Sequence, residues 1–209
     1  MNDRLRIAVP RGALFSGTLD LLDGLGLDTR EVRSNDRKLL FAEAGIVTMR
    51  PSDVPTYVEH GSADLGITGK DVLLEQSHRN VYELLDLGFG RCRMVVAAGE
   101  EGDPVGDALR RLGRVRIATK YPRVAAAHFA DTGRQAEIVE VKGSVELAPL
   151  TGLADGIVDL TATGRTLDEN GLRVLEEIGV CTARLIANPV AHKLKAGQID
   201  AIVERVRAG

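Results

Sequence analysis

Short runs of apolar residues alternate along the chain with segments whose apolar positions form one face of a helix. The first run, residues 4–9, leads through Pro10-Arg11-Gly12 into a leucine-rich helical stretch over residues 16–25. The same order of strand, turn and helix recurs at residues 115–119 and 124–132. This alternation predicts an α/β protein with mainly parallel strands.

The remaining apolar runs predict further strands and helices. We expect strands at residues 39–41, 45–49, 63–69, 82–87, 93–98, 138–141, 156–160 and 182–187. We expect helices at residues 53–59 and 70–76, a helix that opens at residue 143, and a terminal helix over residues 189–206.

The order of these elements predicts two lobes. Residues 93–179 are expected to form a second lobe that is inserted into the first, which comprises residues 1–92 and 180–209. A chain that crosses twice between lobes resembles the type II periplasmic-binding-protein fold. We therefore expect an α/β architecture of two lobes, with mainly parallel sheets and a ligand cleft between the lobes.

The composition predicts an aliphatic core and excludes a bulk attraction for nucleic acid. Hydrophobic residues make up 44% of the chain, but aromatic residues only 3%, and tryptophan is absent. This favours buried parallel strands over an aromatic-rich β sandwich. The net charge of −3 provides no positive field for a polyanion. A bound anion must therefore be met by individual basic side chains and backbone amides.

Two further features concern location and redox state. No apolar stretch has the length of a membrane span or of a signal-peptide core, so we expect a cytoplasmic protein without a membrane or nucleic-acid partner. Cys92 and Cys181 lie far apart in the sequence and lack the spacing of metal ligands. Reduced thiols are the favoured interpretation, and a disulfide is the alternative.

The most informative local pattern runs from Val158 to Leu167 (VDLTATGRTL). An apolar strand presents Asp159, and a loop of small hydroxyl residues and glycine then leads into a helix. Backbone amides and the hydroxyls of Thr163 and Thr166 could surround a phosphate at the helix N-terminus. Asp159 could accept hydrogen bonds from two ribose hydroxyls. The alternative is a threonine-rich helix cap without a ligand.

Several isolated residues add weaker signals. Glu146 lies at the start of an otherwise apolar helix, which suits a ribose or magnesium contact or simple helix-dipole complementarity. Arg11, Arg37 and Lys120 offer donors that suit pyrophosphate, or they are solvated surface charges. The glycines within residues 64–69 allow close approach of a ligand, or they serve packing at a strand end.

Motifs of other chemistries are absent from the sequence. It contains neither the P-loop lysine pattern nor the G-x-S-x-G nucleophile motif. Its four histidines show no metal-ligand spacing. A site that binds and orients anionic substrates is therefore favoured over a nucleophile or a resident metal.

Taken in order, several blocks of the sequence resemble the ATP phosphoribosyltransferase family. They are Pro10-Arg11-Gly12 and residues 51–58 (PSDVPTYV), 63–73 (ADLGITGKDVL), 118–122 (ATKYP), 146–150 (ELAPL) and 159–167 (DLTATGRTL). The blocks cover nearly the whole chain in the family's order. The resemblance implies a glycosyltransferase that joins ATP to phosphoribosyl pyrophosphate at the first step of histidine biosynthesis.

The resemblance also implies partners and a cofactor. The chain looks like the short form of the family, which lacks the histidine-sensing regulatory domain of the long form. Short-form subunits work with a separate regulatory subunit that resembles histidyl-tRNA synthetase, so we expect a homodimer within a hetero-oligomer. Mg²⁺ is expected to enter through the substrate phosphates rather than through a dedicated protein site.

The reaction that the resemblance implies leads to a hypothesis for the site residues. Arg37 and Arg11 are expected to act catalytically on the departing pyrophosphate. Asp64, Gly69 and Gly12 are assigned to ATP. The phosphoribosyl pyrophosphate site is expected to comprise Lys120, Glu146, Asp159, Thr163, Gly164, Arg165 and Thr166.

Two alternatives and two departures accompany this assignment. A non-catalytic two-lobe module that binds a small anion is the competing class, and a phosphate-binding loop argues against a plain amino-acid receptor. A different phosphoribosyltransferase would carry two adjacent acids before the loop, whereas Val158 precedes Asp159. Ala13 stands where many relatives have arginine, and Ala162 where an acid is frequent.

Overall fold

The computed structural model describes residues 4–208, which form two compact units. The first unit comprises the chain up to Gly90 and from Thr182 onward, and the second comprises Arg91–Cys181. Both predicted boundaries fall two residues inside the second unit, because the strands that begin and end this unit pair with each other through Cys92 and Cys181.

The elements alternate between strand and helix over much of the chain, which confirms the predicted α/β class. The strands are β1 (Ile7–Pro10), β2 (Leu40–Phe41), β3 (Ile46–Met49), β4 (Leu65–Gly69), β5 (Tyr82–Asp86), β6 (Cys92–Gly99), β7 (Val115–Thr119), β8 (Ala136–Glu140), β9 (Gly156–Thr161), β10 (Leu172–Cys181) and β11 (Ala183–Ala187). The helices are α1 (Phe15–Gly24), α2 (Arg30–Ser34), α3 (Val54–Glu59), α4 (Lys70–Glu75), α5 (Pro104–Leu112), α6 (Pro122–Asp131), α7 (Leu147–Leu150), α8 (Arg165–Glu169), α9 (Pro189–Leu194) and α10 (Ala196–Ala208). Among residues 4–208, no helix combines the length and the apolar character that a membrane span requires.

The first unit is built on a sheet with the strand order β2-β3-β1-β4-β11-β5. β1 and β4 lie at its centre and are buried along their whole length. Alternate residues of these strands face two different apolar clusters: Ile7 and Val9 belong to one, and Ala8 packs with Val54 and α3 in the other. Helices therefore cover both faces, which explains why these strands are continuous apolar runs.

The second unit has its own sheet, with the strand order β10-β6-β9-β7-β8. Its faces are covered in the same way, because Ile117 and Val158 face one apolar cluster while Ala118 and Ile157 face another. β9, β7 and β8 are parallel to one another. Their carboxyl ends consequently meet at one edge of the sheet, where the loops that follow them come together.

Both sheets are mixed, which corrects the prediction of mainly parallel sheets. In the first unit, β2 pairs antiparallel with β3, and β11 pairs antiparallel with both β4 and β5. In the second unit, β6 pairs antiparallel with both β9 and β10. An apolar run that is buried on both faces looks the same in either direction, so the sequence pattern does not reveal strand direction.

Four elements differ from the expected pattern, and one of them is the short helix α2, which the sequence pattern did not predict. β10 is missing from the prediction because Glu176 and Glu177 interrupt its apolar positions. α5 is missing because its polar start (EEGDPV) looks like a loop, whereas Asp103 caps the helix by accepting a hydrogen bond from the amide of Gly106 at 3.0 Å. The expected terminal helix is divided into α9 and α10 at Lys195.

Asn188 connects β11 to two helices of the first unit. It is buried, with 6% of its surface exposed. Its Oδ1 caps α9 by accepting hydrogen bonds from the amides of Val190 and Ala191 at 2.9 and 2.8 Å. Its Nδ2 donates to the carbonyl oxygens of Val58 and Glu59 at 2.8 and 3.1 Å, which satisfies the carboxyl end of α3.

We expect Asn188→Ala to lower the free energy of unfolding by about 2–4 kcal/mol. The change removes a helix cap, and it removes the side-chain donor that the carbonyl oxygens of Val58 and Glu59 share. Urea denaturation measures this effect, and Asn80→Ala is the control. Asn80 is exposed and donates to Glu59 through its backbone amide, which alanine retains, so the control should stay within about 0.5 kcal/mol of the unchanged protein. Equal stability of the two variants would contradict the structural role of Asn188.

Candidate functional site

The carboxyl edge of the parallel strands in the second unit brings together most of the residues predicted to bind phosphoribosyl pyrophosphate. Lys120 directly follows β7, and Asp159 lies near the end of the adjacent β9. β8 lies on the other side of β7, and the loop that follows β8 leads to Glu146 at the start of α7. The loop after β9 carries Thr163 and leads into α8.

Asp159 is a buried ionisable residue at this edge of the sheet. Only 8% of its side chain is exposed, and its Oδ1 lies 3.1 Å from the Nζ of Lys120. The amide of Leu160 also donates to Oδ1, at 2.7 Å. Burial raises the pKa of Asp159 above its ordinary value; the Lys120 ammonium opposes this rise, and the negative charge of Glu146 adds to it. The fold thus holds a carboxylate where its charged form is disfavoured, which is typical of a functional site.

Thr119 fixes the position of Lys120, and sequence reasoning missed it. Its buried hydroxyl donates to the carbonyl oxygen of Val158 at 2.6 Å and accepts a hydrogen bond from the amide of Tyr121 at 2.9 Å. These bonds tie the end of β7 to β9 and set the turn that contains Lys120. A threonine at the end of a buried strand is a weak signal, because its partner lies 39 positions away in the sequence.

The threonine-rich loop is held by Thr161 rather than by the threonines that were predicted to bind phosphate. The Thr161 hydroxyl accepts a hydrogen bond from the amide of Gly164 at 2.8 Å. Thr163 and Thr166 are exposed, and the Thr163 hydroxyl makes only a long contact of 3.4 Å with the amide of Arg165. The loop therefore combines an internal brace with exposed hydroxyls and with first-turn amides of α8 that have no acceptor within the helix.

The side chain of Arg165, a residue predicted for the phosphoribosyl pyrophosphate site, is engaged within α8. Its guanidinium pairs with Glu169 one turn later in α8, at 2.8 Å, and 82% of the side chain is exposed. Arg165 contributes its backbone amide to the loop, at the start of α8. An i,i+4 pair on an exposed helix face is a common surface feature.

Gly164 gives the loop its conformation, because its φ is +87°, in the left-handed region. We expect Gly164→Ala to weaken binding of phosphoribosyl pyrophosphate about 10-fold. The strain of about 1–2 kcal/mol that a side chain meets in this region would displace the neighbouring amides. A Cβ at Gly164 would meet only ordinary contacts, the nearest being Asp168 Oδ2 at 3.8 Å, so the effect would not come from a steric clash. Isothermal titration of the variant with phosphoribosyl pyrophosphate measures the change.

Gly171→Ala is the matched control for this prediction. Gly171 also has a positive φ, +63°, and open space around its Cα, but it lies after α8 rather than in the loop. We expect the control to lose similar stability and to keep its affinity for the substrate. Equal loss of affinity in both variants would show that general strain, not the loop, is responsible.

Glu146 is half-buried at the N-cap position of α7, and its side chain makes no capping hydrogen bond. Complementarity to the helix dipole requires no direct hydrogen bond, so this interpretation stands beside that of a ligand contact. Its charge contributes to the raised pKa of Asp159, so the two carboxylates interact electrostatically. Among residues 4–208, no group of three or more His, Cys, Asp or Glu side chains is arranged to hold a metal ion.

In the first unit, Arg11 follows β1 and is committed to neighbouring groups. Its Nε donates to Thr48 Oγ1 at 3.1 Å, and its Nη2 donates to the carbonyl oxygen of Lys38 at 2.9 Å. Its Nη1 lies 3.4 Å from Asp36 Oδ1. These contacts fasten the segment that carries Arg37, so the structure gives Arg11 a positioning task.

Arg37 is exposed, and within the part of the chain that the structure describes its guanidinium forms no hydrogen bond or ion pair. Its backbone is fixed by a hydrogen bond from its amide to Asn35 Oδ1 at 3.3 Å. Gly12 is also exposed, has a φ of +85°, and has no atom within 4 Å of where a Cβ would stand. Both residues are therefore accessible to a ligand of the first unit.

The structure does not bring together the two β4 residues that were assigned to ATP. Asp64 precedes β4 and Gly69 ends it, which separates them by roughly 16 Å of extended chain. Asp64 Oδ2 accepts a hydrogen bond from the amide of Arg6 at 2.8 Å and pairs with Lys195 Nζ at 2.9 Å. Asp64 thus holds together the amino ends of β1 and β4, whereas Gly69 lies at the carboxyl end.

Comparison with known proteins gives a consistent result. The family model HisG, described as ATP phosphoribosyltransferase, matches residues 50–208. The ATP phosphoribosyltransferase of Rubrobacter xylanophilus is 53% identical over 205 residues, which cover 97% of this chain and 94% of the relative.

Two of the solved structures that share this fold are informative. One, an ATP phosphoribosyl transferase (HisG:HisZ) complex from Thermotoga maritima, superposes with a TM-score of 0.81 at 36% identity and covers 98% of this chain and 97% of its own. A periplasmic sulfonate-binding protein from Methylobacillus flagellatus has a TM-score of 0.62 at 16% identity over 98% of this chain and 67% of its own, which supports the two-lobe fold alone. The chain is a member of the ATP phosphoribosyltransferase family.

Proposed function

We propose that this protein is the catalytic subunit of an ATP phosphoribosyltransferase of the short form. It transfers the phosphoribosyl group of phosphoribosyl pyrophosphate to N1 of ATP and releases pyrophosphate, in the first step of histidine biosynthesis. Family membership over nearly the full length supports the activity, which makes the protein a glycosyltransferase of the phosphoribosyltransferase class. The observation that carries the proposal is the buried Asp159 beside Lys120, next to a loop with exposed hydroxyls.

The reaction demands little proton transfer, because N1 of adenine carries a free lone pair. The ring oxygen of the sugar favours a loose transition state that resembles an oxocarbenium ion. The main catalytic task is then to stabilise the departing pyrophosphate and to hold two anionic substrates in line. This task fits a site of donors and carboxylates without a nucleophilic triad.

In the second unit, we assign the 5′-phosphate to the loop from Thr163 to Thr166, through its exposed hydroxyls and the first-turn amides of α8. Asp159 accepts hydrogen bonds from the ribose hydroxyls, and Glu146 shares this role or faces the metal. Lys120 balances the charge of Asp159 in the absence of substrate and is assigned to the pyrophosphate. Arg165 contributes its backbone amide rather than its side chain, because the side chain pairs with Glu169.

Magnesium bound to the pyrophosphate oxygens would neutralise part of the charge of the leaving group. The residues fit a metal that arrives with the substrate. Asp159 and Glu146 offer carboxylates at the relevant edge, and Mg²⁺ in such sites commonly takes one or two carboxylates besides substrate phosphates.

In the first unit, we assign Arg37 to the departing pyrophosphate and Arg11 to holding the Arg37 segment in place. Gly12 and Gly69 keep their assignment to ATP, because both lie at the carboxyl edge of the sheet. Asp64 is left out, since it lies at the opposite edge in an ion pair with Lys195.

The related structure from Thermotoga maritima is that of a HisG:HisZ complex. We propose that this chain likewise works with a second, regulatory subunit, which the sequence resemblance describes as similar to histidyl-tRNA synthetase. A homodimer within the hetero-oligomer and a cytoplasmic location remain predictions from the sequence.

The experiment that tests the function is release of pyrophosphate from ATP plus phosphoribosyl pyrophosphate, with Mg²⁺, in the presence and absence of the regulatory subunit. Phosphoribosyl-ATP is followed by its absorbance. We expect product with the partner present and a lower rate without it. A folded chain that forms no product under either condition and binds neither substrate would contradict the proposal.

The second candidate is a non-catalytic module that binds a small anion, favoured by the fold similarity to a sulfonate-binding protein. Titration with phosphate or sulfonate compounds and with each substrate separates the two candidates. Tight binding of a small anion without turnover supports the module, whereas product formation supports the enzyme.

A further inference from the structure

The two cysteines of the chain, 89 positions apart in the sequence, face each other in the structure. Cys92 is the first residue of β6 and Cys181 is the last residue of β10, and the two are direct partners in the antiparallel pairing of these strands. Side chains of directly opposite residues lie on the same face of a sheet. Both residues are thiols in the structure.

The spacing of such a pair suits a disulfide. Opposite residues of antiparallel strands have Cα atoms about 4.5–5.5 Å apart, and a disulfide spans Cα separations of about 4.4–6.8 Å. The Cys92 thiol already reaches its neighbour, because it donates a long hydrogen bond to the carbonyl oxygen of Cys181 with an Sγ–O distance of 3.8 Å.

The two thiols differ in exposure to solvent, which suits them to different roles. Cys92 is partly exposed, so a small oxidant can reach it, whereas only 2% of Cys181 is exposed. A pair of an accessible cysteine and an adjacent resolving cysteine is the arrangement found in reversible thiol oxidation.

The two cysteines also lie where the chain enters and leaves the second unit. The chain enters the second unit between Gly90 and Arg91 and leaves it between Cys181 and Thr182. We propose that Cys92 and Cys181 form a reversible disulfide when the protein meets a hydroperoxide, and that this bond staples the strands through which the chain enters and leaves the second unit.

The chemistry balances with hydrogen peroxide as the oxidant. The Cys92 thiolate attacks one peroxide oxygen, the O–O bond breaks, and the products are a sulfenic acid on Cys92 and one water after protonation. The Cys181 thiolate then attacks the Cys92 sulfur, the S–O bond breaks, and the departing hydroxide becomes a second water. Two thiols lose two electrons and two protons, and the peroxide is reduced to two waters.

The test uses the full folded chain and needs no substrate. The protein is treated with hydrogen peroxide, its thiols are then blocked with a maleimide, and its intact mass is measured. We expect a monomer that has lost the mass of two hydrogen atoms and carries no maleimide, with the two cysteine-containing peptides linked after proteolysis. Dithiothreitol should restore two reactive thiols. A Cys92 sulfinic acid beside an intact Cys181 thiol, or disulfide-linked dimers instead of the internal bond, would overturn the proposal.

Variants and thermal unfolding separate the staple from unspecific oxidation. In Cys181→Ser, the sulfenic acid on Cys92 should persist and react with dimedone, while Cys92→Ser should give no dimedone adduct. Oxidised wild-type protein should unfold at a higher temperature than reduced protein, because the cross-link closes a long loop and limits the freedom of the unfolded chain. Cys92→Ser should show no such shift. An unchanged unfolding temperature of the cross-linked protein would refute the stapling of the second unit.

Discussion

Asp159→Asn is expected to weaken binding of phosphoribosyl pyrophosphate by at least about 100-fold. A carboxylate that accepts two ribose hydroxyls contributes two charge-assisted hydrogen bonds, each of about 1.5–3 kcal/mol, and the neutral amide cannot replace both. Isothermal titration in the presence of Mg²⁺ measures the dissociation constant. A value equal to that of the unchanged protein would remove Asp159 from the site.

The same variant should not lose stability. Because burial raises the pKa of Asp159, the folded protein holds a proton at this group more tightly than the unfolded chain does. The stabilising contribution of this group is complete below the ordinary pKa of 3.8 and is lost as the pH rises through the raised pKa of the folded state. Asn carries no such charge, so we expect the melting temperature of Asp159→Asn at neutral pH to equal or exceed that of the unchanged protein.

Asp155→Asn is the matched control for Asp159. It lies just before the same strand, β9, at the amino end, where it accepts a hydrogen bond from the amide of Arg116 at 2.7 Å. We expect this variant to keep its affinity for phosphoribosyl pyrophosphate and to lose some stability. The two substitutions are therefore expected to have opposite effects on affinity and on stability. A loss of affinity in both variants would indicate distortion of the sheet.

Arg37→Ala is expected to lower turnover by about 100- to 1,000-fold with little change in melting temperature. Removal of one group that stabilises charge developing in a transition state typically has an effect of this size. The exposed guanidinium has no partner within residues 4–208, so its removal breaks no contact of the fold. Steady-state rates of pyrophosphate release measure the effect.

Arg30→Ala serves as the control for Arg37. Arg30 is also an exposed arginine of the first unit, and its ion pair with Asp28 is a surface pair with a small expected energy. We expect its turnover to match that of the unchanged protein. If Arg37→Ala retains full turnover, other groups must stabilise the departing pyrophosphate.

The gathering of candidate residues at one edge of the second unit could be predicted from the sequence, because these residues lie at the ends of strands. Lys120 and Asp159 directly follow or close apolar runs, and parallel strands bring such positions to one edge. The hydrogen bond that braces the loop, from the Gly164 amide to the Thr161 hydroxyl, could not be predicted in the same way. Three threonines occupy similar positions, and only the folded backbone selects Thr161 as the acceptor for the Gly164 amide.

The separation of Asp64 from Gly69 had a signal in the sequence. Asp64 and Gly69 stand at the two ends of one predicted strand, and a strand of that length separates its ends by roughly 16 Å. The role of Arg11 had no such signal, because its contacts to Thr48 and to the carbonyl of Lys38 join segments that are distant in the sequence. Strand direction was also beyond the sequence pattern, so the antiparallel β11 was unexpected.

The position of β11 has a consequence for biosynthesis on the ribosome. This strand lies between β4 and β5, and within the described chain β5 joins the sheet only through β11. The second unit is continuous in sequence and can complete its sheet as soon as Cys181 has left the exit tunnel. The first unit begins earlier but must keep a gap in its sheet until residues 183–187 emerge. The unit that starts second should therefore finish folding first, and nascent chains that stop before β11 should expose the unpaired edge of β4 to chaperones.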